Sequence, residues 1–232
     1  MLKHIRLLIF DLDYLVFDCA GLKAGALRES LKGFADEIPH DVRLPDEVDV
    51  EEGFREHGFR WPLHLDLGLD ENRLASLQGA CHAVEQLLVT AGAGRVFPGL
   101  PELLSICRRN QLSTALGAEA RRAYLLAVSD RHDLHGLFEM VYCTEEYGAG
   151  GPDEMIEDMM ARAEVNPSET LVLGTLPSMF HAARALDVIT VGCGWGLRSR
   201  SALKEADLQA PALANLMRVV ERADATAAEN SF

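Results

Sequence analysis

Residues 2–13 read LKHIRLLIFDLD, and the fold turns on the point where the apolar run 7–10 meets Asp11-Leu12-Asp13. An unbroken apolar run of this kind predicts a strand over 2–10 that is buried on both faces, as in a parallel sheet. Two acids just past its carboxyl end face the crevice in which open α/β sheets bind ligands. Short apolar runs recur at 112–116, 139–143, 170–174 and 188–193, separated by stretches with helical spacing. Alternating strand and helix is the pattern of an α/β layer fold with a parallel sheet. Helices are expected over 101–109, 152–164 and 177–186, each starting with a proline. Proline fits the first helical turn, where its missing N–H would have no partner anyway.

Between the first strand and Val96 no strand pattern is found. Residues 21–38 place Leu22, Leu27, Leu31, Phe34 and Ile38 at spacings of three to five, and residues 70–90 place Leu74, Leu77, Cys81, Val84 and Leu88 at threes and fours. Both predict amphipathic helices, so 18–95 reads as a helical insertion into a core formed by 1–17 and 96–222. The acid-, Pro- and Gly-rich stretch 39–68 reads as loop with a short helix over 50–57. The small, polar tail 223–232 is expected to fray.

Composition narrows the function classes. With 232 residues, 48% hydrophobic and 25% charged, the chain is long enough for a sizeable core and excludes disorder, collagen and coiled coil. Twenty-two basic against 36 acidic residues give a net charge of −14, which repels phosphate backbones and anionic headgroups. Neither nucleic acid nor a membrane is expected as a partner, and the absence of a spanning or leader-type apolar run makes a cytoplasmic protein the expectation. The five cysteines are odd in number and scattered, with no CxxC pair, and read as buried thiols.

Chemically, one carboxylate of the pair could attack phosphorus or hold a divalent cation while the other gives and takes protons. The segment Ile9-Phe10-Asp11-Leu12-Asp13-Tyr14-Leu15-Val16-Phe17-Asp18 resembles the first motif of the haloacid dehalogenase superfamily, hhDxDGTLxD. Phe97-Pro98-Gly99-Leu100-Pro101-Glu102-Leu103-Leu104 resembles the stretch that re-enters the core after a cap in the phosphatase, phosphoglycolate phosphatase-like branch. The run 166–174, with His181-Ala182-Ala183-Arg184-Ala185 and Val191-Gly192-Cys193-Gly194-Trp195-Gly196, is similar to the surroundings of the fourth motif. The resemblance implies a Rossmann-like core carrying a helical cap, an aspartyl-phosphate nucleophile at Asp11, a general acid/base at Asp13 and a weak Mg²⁺ site on these two. It implies no nucleotide cofactor, and the Gly192–Gly196 glycines lack the continuation of a dinucleotide fingerprint.

Other positions depart from that pattern. Tyr14-Leu15 stand for Gly-Thr, and Gly117-Ala118 for the Ser or Thr of the second motif. The third-motif lysine is missing, no lysine lying between 33 and 203, and Thr175 and Met179 replace both acids of the fourth motif. Arg121 or Arg122 offers a cation, although Arg is not a like-for-like substitute for Lys. In phosphoryl transfer the protein mainly positions groups and neutralises charge, so each lost donor costs roughly 10²–10³ in rate. The expectation is a degraded hydrolase, using Gly117, Ala118 and Thr175 to bind a small phosphorylated molecule or a protein partner. The alternative is an active Mg²⁺-dependent phosphomonoester hydrolase. His132 and His135, three apart, lack a third ligand for a metal.

Overall fold

The structure, a computed structural model, describes residues 4–148, 151–197, 202–218 and 220. At its centre lies β1 (Leu7–Asp11), with all five residues buried. Leu7, Leu8, Ile9 and Phe10 each contribute roughly 1.5–3 kcal/mol by leaving water. Around β1 stand β4 (Ser113–Ala118), β5 (Met140–Cys143), β6 (Thr170–Gly174), β7 (Ile189–Cys193) and β8 (Leu208–Ala210). They form a parallel sheet in the order β5-β4-β1-β6-β7-β8. Leu7 is in register with Ser113 on one side and Thr170 on the other. The chain thus departs from β1 in two directions, and the carboxyl end of β1 is the switch point where such sheets open a crevice.

Helices α4 (Leu100–Arg109), α5 (Arg122–His132), α6 (Leu134–Leu137), α7 (Pro152–Arg162) and α8 (Pro177–Ala185) make the connections. Prolines stand in the first turns of α4, α7 and α8, as expected from the sequence. Asp133, at φ 53°, ends α5 and separates His132 from His135, which therefore do not share one helix face.

The insertion leaves and re-enters the core through two short antiparallel strands, β2 (Phe17–Asp18) and β3 (Arg95–Val96), with Phe17 opposite Val96. Between them lie α1 (Ala20–Leu31), α2 (Glu47–His57) and α3 (Glu71–Thr90). α1 runs close to α3, the Cβ position of Gly25 lying 3.8 Å from Leu88 Cδ1. Asp46 begins α2 with a capping box, accepting from the Val48 and Asp49 N–H groups, and Asp70 caps α3 by accepting from the Arg73 N–H.

Several boundaries differ from the expectations. The first strand starts at Leu7, since His4, Ile5 and Arg6 are not in strand conformation. The helix expected over 21–38 ends at Leu31 and gives way to a 3₁₀ turn over Lys32–Phe34, which contains Gly33. The strand expected over 112–116 extends through Gly117 and Ala118, because these pair with Asp11 of β1 and with Tyr142 and Cys143 of β5. The tail 223–232 lies outside the described residues.

Candidate functional site

Asp11 closes β1 and is 1% exposed. After Leu12 the chain turns back, with the Tyr14 N–H donating to the Phe17 carbonyl at 2.9 Å. Tyr14 sits at φ 62°, a left-handed conformation that favours glycine. The tight turn of the family pattern is thus kept while its side chain is not. The Tyr14 ring reaches the insertion and packs on Phe54 of α2, 5.7 Å between centroids. On the other side of the turn, Trp195 Nε1 donates to the Leu15 carbonyl at 2.9 Å.

The cation that the core lacks comes from the insertion. Lys23, in the second turn of α1, is 2% exposed and places Nζ 2.9 Å from Asp13 Oδ2. Tyr124 of α5 donates its hydroxyl to Asp13 Oδ1 at 2.8 Å, so both carboxylate oxygens are engaged. Lys23 Nζ also lies 3.9 Å from the Phe54 ring centroid, 5.0 Å from that of Tyr124 and 4.0 Å from Glu85 Oε1 of α3. Burial alone would lower the pKa of this ammonium, but Asp13 and Glu85 outweigh it and hold Lys23 above the ordinary lysine value, hence charged. One buried network therefore joins α1, α2 and α3 to the end of β1 and to α5.

Asp11 is differently placed. Burial first, then the charges of Asp13 and Glu119, push its carboxyl well above the usual range, which favours the protonated, non-nucleophilic form. Its Oδ1 has no hydrogen-bond partner. Thr175, fully buried at the end of β6, donates Oγ1 to Asp11 Oδ2 at 3.3 Å and to the Asp13 carbonyl at 3.1 Å. One hydroxyl proton is thus shared between a carboxylate oxygen of Asp11 and the backbone carbonyl of Asp13. The fold family implies Mg²⁺ here, and these residues do not fit it. Both Asp13 carboxylate oxygens are already bonded, and among the described residues no group of three His, Cys, Asp or Glu side chains is placed to hold a metal ion.

A cavity of about 220 Å³ lies beside this network, bounded by Lys23, His82 and Glu85 of the insertion and by Asp13, Glu119 and Tyr124 of the core. Gly117, Ala118 and Thr175, expected from the motif positions to meet a ligand, do not line it. Gly117 faces the core instead, where a Cβ would come 2.9 Å from Met155 Cε. The lining passes to Glu119, Ala120 and Arg121, one step further along the chain. Arg121 reaches the cavity, whereas Arg122 turns away to pair with Glu146 at 3.4 Å. Glu119 accepts a hydrogen bond from Ser178, and burial, partly offset by that bond, raises its carboxyl pKa. Glu119 and Phe59 also border a second cavity of about 430 Å³ reached by His57, Arg60 and Thr144.

A paired carboxylate at the switch point of a parallel sheet, roofed by a helical insertion, places the chain among open α/β proteins with a crevice at the carboxyl ends of the strands. No family model matches the sequence, and a search of curated proteins returns no match. Solved structures do match. A haloacid dehalogenase-like hydrolase from Streptococcus pneumoniae superposes with a TM-score of 0.78 at 14% identity, covering 95% of this chain and 99% of that one. A predicted phosphoglycolate phosphatase from Haemophilus somnus gives 0.76 at 14% identity, with 93% and 98% covered. CbbY from Rhodobacter sphaeroides, in complex with phosphate, gives 0.71 at 16% identity, with 91% and 99% covered. The chain has the haloacid dehalogenase-like hydrolase fold.

Proposed function

We propose that this chain is a non-catalytic haloacid dehalogenase-like protein that binds a small molecule, or through it a protein partner, in the crevice beneath a cap formed by 18–95 on a core of 1–17 and 96–222. The state of Asp13 carries this reading. A general acid/base must be free to exchange protons with a leaving group, and both Asp13 oxygens are bound, one to a buried ammonium and one to a buried phenol. The protonated tendency of Asp11 and the poor donor set for Mg²⁺ point the same way. Five free, buried cysteines support a reducing, cytoplasmic setting. No helix among the described residues is long and apolar enough to cross a membrane.

The test is Mg²⁺-dependent hydrolysis of p-nitrophenyl phosphate and of a panel of phosphorylated metabolites by wild type and Asp11→Asn. Equal inertness of two equally folded preparations is expected. Turnover by wild type that Asp11→Asn abolishes would overturn the proposal in favour of an active phosphomonoester hydrolase with an aspartyl-phosphate on Asp11.

A further inference from the structure

We infer that the groove between the last turn of α1 and the segment 35–44 binds a medium-chain aliphatic carboxylate, its alkyl chain on Leu31, Ile38, Val42 and Leu44 and its head on Arg28. No residue bordering this groove borders either crevice cavity, so the inference stands apart from the function proposed above.

The local sequence builds the groove. α1 ends at Leu31 in the 3₁₀ turn over Lys32–Phe34, and the chain then turns twice, the Ile38 N–H donating to the Phe34 carbonyl at 3.2 Å and the Val42 N–H to that of Pro39 at 3.0 Å. This far wall is anchored to the rest of the insertion. Arg73 of α3 lies 4.8 Å from the Phe34 ring centroid and pairs with Glu37, while Pro39 Cγ lies 3.1 Å from the Cβ position of Gly68. Between the wall and α1 is a space of about 360 Å³, within the roughly 300–1,000 Å³ of small-molecule sites. Leu31, Ile38, Val42 and Leu44 border it, and no Phe, Tyr or Trp does, so the surface suits an alkyl chain rather than a stacked ring. Leu44 is 51% exposed, which leaves apolar area for a guest to cover.

Charge selects the head group. Acids outnumber bases 36 to 22 in the chain, yet no Asp or Glu borders this groove, whereas Arg28, Lys32 and His40 do. Of the acids nearby in sequence, Glu29 pairs with Lys32 and Glu37 with Arg73. Asp36 and Asp41 are exposed and stand outside the lining. Arg28 and Lys32 are one helical turn apart and share a rim. The Glu29–Lys32 pair is exposed and therefore weak, and Arg28 has no ion pair among the described residues. A guanidinium presents two parallel N–H donors that match one carboxylate. An alkylammonium would meet like charge at this rim, and an alcohol would bring no counter-ion to Arg28.

The probe is sodium octanoate titrated into the full chain, followed by calorimetry and by the methyl ¹H–¹³C resonances of Leu, Ile and Val. Octan-1-ol, octylammonium chloride and butyrate serve as comparators. Saturable binding of octanoate is expected, with the moving methyl resonances confined to Leu31, Ile38, Val42 and Leu44. Butyrate should bind at least tenfold more weakly, since each buried methylene contributes about fourfold. Arg28→Gln is expected to weaken octanoate about tenfold, and Leu44→Asp to abolish binding by placing an acid in the groove. Both side chains are exposed, so the unliganded variants should melt with wild type. Absence of saturation overturns the inference, as do methyl shifts that fall outside the groove. Equal affinity for octan-1-ol or octylammonium overturns it too, and so does unchanged binding by Arg28→Gln. Should a variant fail to fold, the wild-type methyl map and the comparator series decide by themselves.

Discussion

Replacing Lys23 by Met keeps the length of the side chain and removes its charge. Asp13, 3% exposed, is then left as a buried carboxylate with Tyr124 as its remaining strong partner. Breaking a buried pair by deleting one member costs about 3–5 kcal/mol, because the surviving charge has neither water nor a counter-ion. The contact with the Phe54 ring at 3.9 Å is lost as well. In a chain of 232 residues each kcal/mol moves the melting temperature by roughly 2–4 °C, so a fall of roughly 6–20 °C is expected. Urea denaturation followed by tryptophan fluorescence is informative, since Trp61 reports on the insertion and Trp195 on the core turn. The two transitions should coincide in wild type and separate in Lys23→Met, because the network joins the two parts. Combining Lys23→Met with Asp13→Asn removes both charges and should recover part of the loss. A single-variant cost under about 1 kcal/mol, as for an exposed pair, would refute the reasoning, as would a double variant equal to the sum of the singles.

Asp11→Asn should stabilise the fold near neutral pH. The Asp11 pKa is raised by burial and by Asp13 and Glu119, so over the pH range between its unfolded and folded pKa values the folded state binds more protons, and stability falls as pH rises. The variant escapes this loss, so its advantage over wild type, on the order of 1 kcal/mol at pH 7, should vanish toward pH 4 in a pH series of urea melts; an advantage independent of pH would contradict it. Tyr14→Gly and Tyr14→Ala should both lose roughly 3–5 kcal/mol of aromatic packing, with Gly the more stable of the two by about 1 kcal/mol because φ is 62°. Equal stabilities in chemical denaturation would argue against a strained turn. Millimolar Mg²⁺ should leave the melting temperature unchanged, and a saturable rise would restore a metal site at Asp11.

The central sheet was legible because two of its inner strands carry unbroken apolar runs, LLIF at 7–10 and LVL at 171–173. β8 escaped, since the three residues Leu208–Ala210 carry no period. β2 and β3 are two residues each and exist only through pairing across the whole insertion. The carboxylates were legible from their place at a strand end. Lys23 was not, although the signal was present: it shares a face of α1 with Leu27 and Ser30, four and seven residues on, and all three are buried. A lysine is normally assigned to solvent, and the partners that draw it inside belong to β1's turn, α2, α3 and α5. Nor does sequence indicate that the second-motif strand runs on through Ala118, which shifts the crevice lining to Glu119–Arg121.

The β2–β3 pair also bears on how the chain folds. β1 and β4 are sheet neighbours separated by about a hundred residues, a long loop to close before their contacts can form. Once Phe17 meets Val96, the intervening helices hang from a closed stem, and the effective loop between the two strands shrinks to about two dozen residues. By the logarithmic dependence of closure entropy on length, this shortcut lowers the cost of pairing β1 with β4 by about 1 kcal/mol. The two-residue stem would thus act as a kinetic gate for the sheet, and weakening the Phe17–Val96 contact should slow refolding more than it speeds unfolding.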